Sequence, residues 1–226
     1  MAFHPYDREL LRARLRVYFI FGTSDTAHDP AWLLEEAIHG GITAFQFREK
    51  GSGALSGSAL KSLAFKLREI ARDHHILFFI DDDPELALAV EADGVHIGQE
   101  DAPYADVRRL VGPEMIIGVS TTTLDEALRA QEAGADYIGV GPIYPTQTKP
   151  GKPAVGVDHI RMLRQEGVSI PIVAIGGVTA ERAPEIIKQG ADGVAFITAV
   201  SRSQHPRQSA YAIVQAVQGS SATGTV

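Results

Sequence analysis

The sequence predicts a single-domain α/β protein with the (β/α)8, or TIM barrel, fold. Eight short apolar segments alternate with helical patterns within a chain of 226 residues. These segments lack polar alternation, which is typical of parallel strands covered on both faces. A sequence pattern made of a helix end, a short Gly or Ala-Asp turn and a strand start occurs four times, as in Gln131–Val140. Its turn length fits the short loops that lead from helix to strand in such folds.

The predicted elements fill the chain in order. The strands are Val17–Phe21, Ala44–Phe47, Ile76–Ile80, Gly94–Ile97, Met115–Val119, Tyr137–Val140, Ile172–Ile175 and Gly193–Phe196. The clearest helical patterns are Trp32–Ile38, Leu60–Ala71, Leu86–Val90, Leu124–Gln131 and Ala183–Lys188. A doubly wound open sheet is the alternative, but no G-x-G-x-x-G motif follows the first strand. A barrel of this length needs only one domain.

The two ends of the chain differ from its middle. Residues 1–16 include Arg8, Arg12, Arg14 and Arg16, and they predict a short basic helix that closes the bottom of the barrel. Residues 17–218 hold the barrel elements. Residues 219–226 are Gly-Ser-Ser-Ala-Thr-Gly-Thr-Val, a low-complexity sequence that predicts a disordered tail.

Composition excludes several classes of protein. The net charge is −7, which does not favour a nucleic acid or an anionic membrane as partner. The chain has no cysteine, which excludes disulfides, thiolate nucleophiles and cysteine-bound zinc. No segment approaches the ~20 apolar residues of a membrane span. We therefore expect a cytoplasmic enzyme or binding protein that acts on small molecules, and whether it forms a homo-oligomer stays open.

Polar residues gather at the carboxyl ends of the predicted strands, where barrel enzymes carry their chemistry. Gln46, Arg48 and Lys50 alternate at the end of the second strand and so share one face. Two buried cations cost several kcal/mol unless a negative charge pairs with them. Glu49 lies on the opposite face. A phosphate or diphosphate ligand is the simplest source of that charge.

Acidic residues follow the third and fourth strands. Asp82 and Asp101 end neighbouring strands, so their carboxylates can converge on Mg²⁺ together with phosphate oxygens and water. Helix capping is the alternative role, because Asp81-Asp82-Asp83 stands directly before Pro84. Asp83 is the best candidate for the cap, and Asp101, which precedes Ala-Pro, is a further candidate for a cap.

A second anion site is predicted across the mouth of the barrel. Gly176-Gly177 follows the seventh strand and Thr198 follows the eighth, a common place for a phosphate site in barrels. Thr146, Thr148 and Lys149 add two hydroxyls and a cation, and the segment 150–156 has the composition of a mobile lid. His96 fits a buried core residue, and no general base stands out. Two anion sites without a base suggest loss of a diphosphate leaving group.

Several motifs together carry a family resemblance. They are Gln46-Phe47-Arg48-Glu49-Lys50, Asp82, Gln99-Glu100-Asp101, Gly118-Val119-Ser120, Gly141-Pro142-Ile143-Tyr144-Pro145-Thr146-Gln147-Thr148-Lys149 and Ile175-Gly176-Gly177. As a set they resemble thiamine phosphate synthase from residue 17 to residue 217. The resemblance implies a transferase that joins hydroxymethylpyrimidine diphosphate to thiazole phosphate. It also implies that diphosphate leaves first, in a largely dissociative step, and that the thiazole nitrogen captures the resulting cation.

The resemblance also implies roles for individual residues. Substrate binding falls to Gln46, Phe47, Arg48, Glu49, Lys50, Asp81, Ser120, Thr146, Gln147, Thr148, Lys149, Gly177, Ile197 and Thr198. Catalytic roles fall to Arg48, Lys50, Ser120 and Lys149. Binding of Mg²⁺ falls to Asp82 and Asp101.

The sequence departs from the family pattern at two positions. Asp81 stands where the family usually has Asn, and a carboxylate repels a diphosphate that an amide would contact. Thr122 stands where the family often has His. Two alternative functions stay open beside the synthase. A related thiazole tautomerase relies on a histidine at the end of the fifth strand, and a non-catalytic sensor of phosphate ligands does not need the acidic pair.

Overall fold

Eight parallel strands form a closed barrel in chain order, with the first strand paired to the last. The computed structural model describes residues 7–146 and 153–220. The strands are β1 (Val17–Phe21), β2 (Ala44–Phe47), β3 (Leu77–Asp81), β4 (Gly94–Ile97), β5 (Ile116–Thr121), β6 (Tyr137–Val140), β7 (Ile172–Ile175) and β8 (Gly193–Phe196). The predicted (β/α)8 barrel is confirmed, and the open-sheet alternative is wrong.

Ten helices accompany these strands in the described part of the chain. They are α1 (Arg8–Arg14), α2 (Pro30–His39), α3 (Gly57–Asp73), α4 (Pro84–Ala89), α5 (Tyr104–Val111), α6 (Leu124–Ala133), α7 (Asp158–Gln165), α8 (Ala183–Lys188), α9 (Thr198–Ser201) and α10 (Pro206–Gly219). Several begin with side-chain caps, such as Asp29 before Pro30 and Thr123 with Glu126. The last helix includes Gly219, the first residue of the predicted tail, while residues 221–226 lie outside the described residues.

The core has two layers. Between the strands and the outer helices lies a large apolar cluster that includes Phe19, Phe45 and Phe78. Inside the barrel lies a smaller cluster that includes Tyr18, Phe79 and Tyr137. Leu11 of α1 and Leu15, its C-cap, are fully buried within this inner cluster. The amino-terminal helix thus packs against the amino ends of the strands, which leaves the carboxyl ends as the mouth.

The turn that precedes β2, β4, β6 and β8 works as a clamp. An aspartate or threonine side chain in this turn accepts a hydrogen bond from a main-chain N–H near the start of the preceding strand. The pairs are Asp93 with Phe78 (2.8 Å), Asp136 with Ile117 (2.8 Å), Asp192 with Ile172 (2.7 Å) and Thr43 with Val17 (3.0 Å). The clamp aligns neighbouring strands at their amino ends and satisfies N–H groups that would otherwise be buried without a partner.

An arginine from a helix holds each aspartate of the clamp. The pairs are Arg68 with Asp93, Arg108 with Asp136 and Arg164 with Asp192. Burial raises the pKa of Asp136, and the Ile117 N–H and Arg108 act in the opposite direction. A buried carboxylate is stable here because both a main-chain N–H and a guanidinium face it. Among the described residues, no helix has the length and apolar character required to cross a bilayer.

We expect Asp192→Ala to destabilise the protein by about 3 kcal/mol, because it removes one partner of a partly buried ion pair. Asp192 contacts Arg12 and Arg164 and accepts from the Ile172 N–H, so three donors lose their acceptor. Urea unfolding measures the change. Asp125→Ala is the control, since Asp125 forms an exposed pair with Arg129 that is worth less than about 1 kcal/mol. Equal losses in the two variants would contradict the clamp.

Candidate active site

A cavity of about 210 Å³ lies at the carboxyl ends of the strands, and its walls come from residues in or directly after every strand except β1. Most of the predicted site residues that the structure describes line it. They are Arg48, Lys50, Asp81, Asp82, Asp101, Ser120, Thr146, Gly177, Ile197 and Thr198. A smaller cavity of about 40 Å³ lies below, within the barrel, and shares Arg48, Asp81 and Ser120 with the first. The barrel thus brings residues from distant parts of the sequence to one place.

The cations of β2 have carboxylate partners on the neighbouring strand. Arg48 Nε and Lys50 Nζ each lie 3.4 Å from Asp81 Oδ2, and Lys50 also contacts Asp82. The Asp81 side chain is only 8% exposed. The expectation that a ligand is the simplest source of the balancing charge is therefore wrong, because Asp81 and Asp82 supply it. The sequence of one strand does not reveal a partner that the next strand supplies, because the register between β2 and β3 decides which side chains meet.

Asp82 has an unusual backbone. Its φ is +57°, in the left-handed region that few residues other than glycine adopt, although Asp does so more often than most. Its N–H donates to the His96 carbonyl at 2.8 Å, which holds the chain in this conformation. Strain of this kind, of order 1–3 kcal/mol, is typical of functional sites. The strained turn places Asp82 on the wall of the cavity beside Lys50.

The capping alternative for the acidic residues holds for only one of them. Asp83 is the N-cap of α4 and accepts from the Leu86 N–H at 2.8 Å, as predicted. Asp101 does not cap α5, whose N-cap is Pro103. Instead Asp101 Oδ2 accepts from the Gly98 N–H at 2.7 Å, closing a tight turn after β4. Asp82 and Asp101 are therefore both available to the cavity.

The oxygen donors of the cavity suit Mg²⁺, which keeps ligands from substrate and water, better than a metal ion held by protein side chains alone. Within residues 7–146 and 153–220, no group of three His, Cys, Asp or Glu side chains could hold a metal ion. Mg²⁺ is usually bound by one or two carboxylates together with substrate phosphates and water. Asp82 and Asp101 supply two hard oxygen donors on one wall, and a phosphorylated substrate would complete the set.

The loop after β7 requires glycine at two positions. Gly176 and Gly177 have φ values of +103° and +63°, and a Cβ on Gly177 would lie 2.8 Å from that of Tyr144. Arg182 Nη1 donates to the Gly177 carbonyl at 2.6 Å and fixes the loop. The Arg182 guanidinium also lies 4.4 Å from the centre of the Tyr144 ring. Main-chain atoms thus form this side of the cavity, across from the charged cluster.

Three of the predicted substrate residues lie away from the main cavity. Phe47 is buried in the outer apolar layer, and Glu49 accepts hydrogen bonds from Thr23 and from the Leu55 N–H. Their side chains point away from the mouth because they alternate with Gln46 and Arg48 along the strand. Gln46, which is 2% exposed, lines the smaller cavity below. Gln147, Thr148, Lys149 and the first part of the predicted lid lie outside the described residues.

A buried chain of polar side chains, which the sequence motifs do not reveal, leads from the cavity into the barrel. His96 contacts Ser120 and Tyr137, Tyr137 contacts Tyr18, and Tyr18 contacts Gln46. The two tyrosines lie within apolar strands, where they are expected as core residues. The one available signal was that two tyrosines and a histidine occupy inward positions, where each polar atom needs a partner.

Comparison with known proteins agrees with this geometry. The family model described as thiamine monophosphate synthase matches residues 17–200. The thiamine-phosphate synthase of Bacillus velezensis is 48% identical over 217 residues, which are 96% of this chain and 96% of that protein. That of Geobacillus kaustophilus is 48% identical over 209 residues, which are 92% of this chain and 94% of that protein.

A solved structure shows the same likeness in three dimensions. Thiamine phosphate pyrophosphorylase from Pyrococcus furiosus superposes with a TM-score of 0.84 at 36% identity, over 93% of this chain and 98% of that one. The match covers nearly the whole of both chains at 36% identity, so the likeness is more than a shared fold. The chain belongs to the thiamine monophosphate synthase family of transferases.

Proposed function

We propose that the cavity joins hydroxymethylpyrimidine diphosphate to thiazole phosphate, giving thiamine phosphate and diphosphate. The observation that carries the proposal is the division of one cavity into two sides. Arg48, Lys50, Asp82 and Asp101 form a charged side suited to a diphosphate and its metal ion. Gly177 and Thr198 form the other side, suited to a monophosphate. The names of the relatives support the same reaction.

On the charged side, we assign the leaving group to Arg48 and Lys50. In the structure both cations face Asp81, and Lys50 also faces Asp82. The oxygens of the incoming diphosphate displace these carboxylates from the two cations. The cations then stabilise the negative charge that grows on the diphosphate as its bond to carbon breaks. The predicted role of Lys149 on the same group stays a prediction, because that residue lies outside the described residues.

We further propose that Asp82 and Asp101 hold Mg²⁺ against the diphosphate. The ion would neutralise charge on the leaving group, which suits a dissociative step without a general base. Asp101 is held by the Gly98 N–H through one oxygen, and Asp82 is held by its strained turn. Both carboxylates are thus oriented before a ligand arrives, which lowers the entropic cost of binding.

On the other side, the glycine loop and the start of α9 would receive the thiazole phosphate. Gly177, Ile197, Thr198 and Thr146 line this wall. Ser120 and Gln46 lie deeper, at the level of the pyrimidine ring. The predicted contacts of Phe47 and Glu49 are not part of the proposal, because neither side chain lines the cavity.

The two alternative functions have less support. The tautomerase relies on a histidine at the end of β5, and Thr122 occupies that place and lines the cavity. The relatives reported above carry the synthase name rather than that of a tautomerase or a sensor. A cytoplasmic location follows as a proposal from the biosynthetic reaction, and a homo-oligomer stays open.

The reaction itself is the first test. We expect purified protein, incubated with both substrates and Mg²⁺, to form thiamine phosphate and diphosphate in equal amounts. Chromatography detects the first product, and a coupled phosphate assay detects the second. Omitting thiazole phosphate should abolish thiamine phosphate. No product from authentic substrates would overturn the proposed function.

Asp81→Asn tests the charge balance. We expect the variant to keep or raise kcat/KM, by up to about tenfold, because the diphosphate no longer displaces a carboxylate from Arg48 and Lys50. Without ligand it should be less stable by roughly 1–3 kcal/mol, since a half-buried guanidinium loses its partner. Steady-state kinetics and urea unfolding measure both effects.

Asp83→Asn is the matched control for that variant. It makes the same change in charge two residues along the chain, and Asn caps a helix as well as Asp does. We expect no change in kcat/KM. A large loss of kcat/KM in Asp81→Asn alone would show that the Asp81 carboxylate has a catalytic role of its own.

Removal of the metal tests the acidic pair. We expect chelation with EDTA to abolish activity and added Mg²⁺ to restore it. Asp101→Asn should raise the Mg²⁺ concentration for half-maximal rate by about tenfold or more, since a charged oxygen ligand is lost. Asp106→Asn, an exposed change in α5, serves as control. Full activity in metal-free protein would refute the assignment.

A further inference from the structure

The buried polar chain beneath the cavity connects two residues of the proposed pyrimidine site. We propose that Tyr18, Tyr137 and His96 are positioning residues that fix the Ser120 hydroxyl as a hydrogen-bond donor toward the substrate. The proposal rests on the proposed function for the identity of the substrate, but its geometry belongs to the unliganded protein. The three side chains that link Gln46 to Ser120 through hydrogen bonds need not touch the substrate.

The hydrogen-bonded chain of side chains is continuous from Gln46 to Ser120. Gln46 Nε2 lies 3.1 Å from Tyr18 Oη, and Tyr18 Oη lies 3.0 Å from Tyr137 Oη. Tyr137 Oη lies 3.0 Å from His96 Nδ1, and His96 Nε2 lies 2.9 Å from Ser120 Oγ. The five side chains come from β1, β2, β4, β5 and β6. The chain therefore spans the interior of the barrel.

Burial makes each of these hydrogen bonds costly to break. Tyr18, Gln46 and Tyr137 are at most 2% exposed, and His96 is 8% exposed. The Phe79 ring packs against both tyrosines, with centroids 5.3 and 5.6 Å away. A polar atom left without a partner in such surroundings destabilises the fold, because nothing replaces the hydration that it lost on burial. Burial also raises the pKa of both tyrosines, so each hydroxyl keeps its single proton.

A single proton on each hydroxyl gives the chain a direction. The Gln46 amide donates to Tyr18, so the Tyr18 proton is directed to Tyr137. The Tyr137 proton is then directed to His96 Nδ1, which accepts it. A neutral imidazole that accepts at Nδ1 carries its proton on Nε2 and donates it to Ser120. Ser120 Oγ is thus an acceptor on the buried side.

The direction of the chain sets the chemistry of Ser120. With its oxygen accepting from His96, the Ser120 hydroxyl directs its own hydrogen toward the cavity that it lines. It can then donate to a ring nitrogen or a phosphate oxygen of a substrate, both of which are acceptors. If the chain ran in the opposite direction, Ser120 would offer a lone pair, and these acceptors would be repelled.

Gln46→Glu is the variant that reverses the chain. Burial favours the neutral carboxyl, which can donate, so the variant is examined at a pH at which its carboxyl is ionised and only accepts. Tyr18 would then donate to the carboxylate, and each later hydrogen bond would reverse its direction. His96 would then carry its proton on Nδ1 and accept from Ser120 at Nε2. The reversal changes the tautomer of one histidine, which makes it visible without any measurement of activity.

The first experiment reads that tautomer by NMR. The unliganded protein is labelled with ¹⁵N at its eight histidines, and the His96 signals are those missing in His96→Gln. We expect a neutral ring protonated at Nε2 in the wild type and at Nδ1 in Gln46→Glu, both recorded at a pH at which ¹³C NMR shows the introduced carboxyl to be ionised. A wild-type ring protonated at Nδ1, or the same tautomer in both proteins, would overturn the proposal. Neither result depends on the substrate assigned above.

The second experiment measures coupling to Ser120. We expect Tyr137→Phe, which removes one oxygen, to lower kcat/KM about tenfold, the factor that corresponds to about 1.4 kcal/mol. It should divide this loss between kcat and KM as Ser120→Ala does. Added to Ser120→Ala, it should cause no further loss, because the hydroxyl that it orients is gone. Independent losses that multiply, or full activity in Ser120→Ala, would overturn the proposal.

Controls separate positioning from stability. Tyr104→Phe also removes a hydroxyl with a hydrogen bond, to the Gly134 carbonyl at 2.6 Å, but far from the cavity. We expect it to keep wild-type kinetics. If Tyr137→Phe does not fold, Tyr18→Phe breaks the same chain one bond further from Ser120 and should show the same coupling. A wild type that makes no thiamine phosphate would refute the proposed function while leaving the NMR result intact.

Discussion

The fold depends on one hydrogen bond that recurs at the amino end of the barrel. An aspartate or threonine before one strand accepts from an N–H of the strand before it, at Thr43, Asp93, Asp136 and Asp192. Parallel strands in a closed sheet must keep their register, because a slip of one residue reverses every side chain. With register held at one end, the residues at the other end are available for binding and catalysis.

At the mouth of the barrel, the cations are already paired with carboxylates in the unliganded protein. Arg48, Lys50, Asp81 and Asp82 form a balanced group of charges before any ligand binds. A balanced group keeps two cations folded near the barrel interior at little cost, but it must be opened by the substrate. Affinity for the diphosphate is then the difference between two sets of ion pairs rather than the full strength of one.

The sequence predicted most of the fold and part of the site, for identifiable reasons. Strand bounds were right where an apolar run ends at a turn, but β3 and β5 extend further, to Asp81 and Thr121, because these polar residues continue the pairing of the sheet. Helices α5, α7 and α10 are absent from the predicted helical patterns. α5 and α7 are eight residues long and bury two apolar side chains each, so no apolar run marks them. α10 buries five residues and was missed all the same.

Within the site, local sequence predicted which end of the barrel is used but not which side chains meet. Arg48 and Asp81 are far apart in the sequence, and only the alignment of β2 with β3 brings them together. The chain through Tyr18 and Tyr137 was missed for the same reason, since a tyrosine in an apolar strand has no visible partner until the barrel closes.

The backbone of Asp82 limits how this position can evolve. At a φ of +57°, glycine, asparagine and aspartate are the residues that fit with the least strain, and of these aspartate alone carries a negative charge. Glutamate would keep the charge but would add strain and length. A substitution that this backbone accepts readily therefore removes the carboxylate from position 82 rather than exchanging it for another.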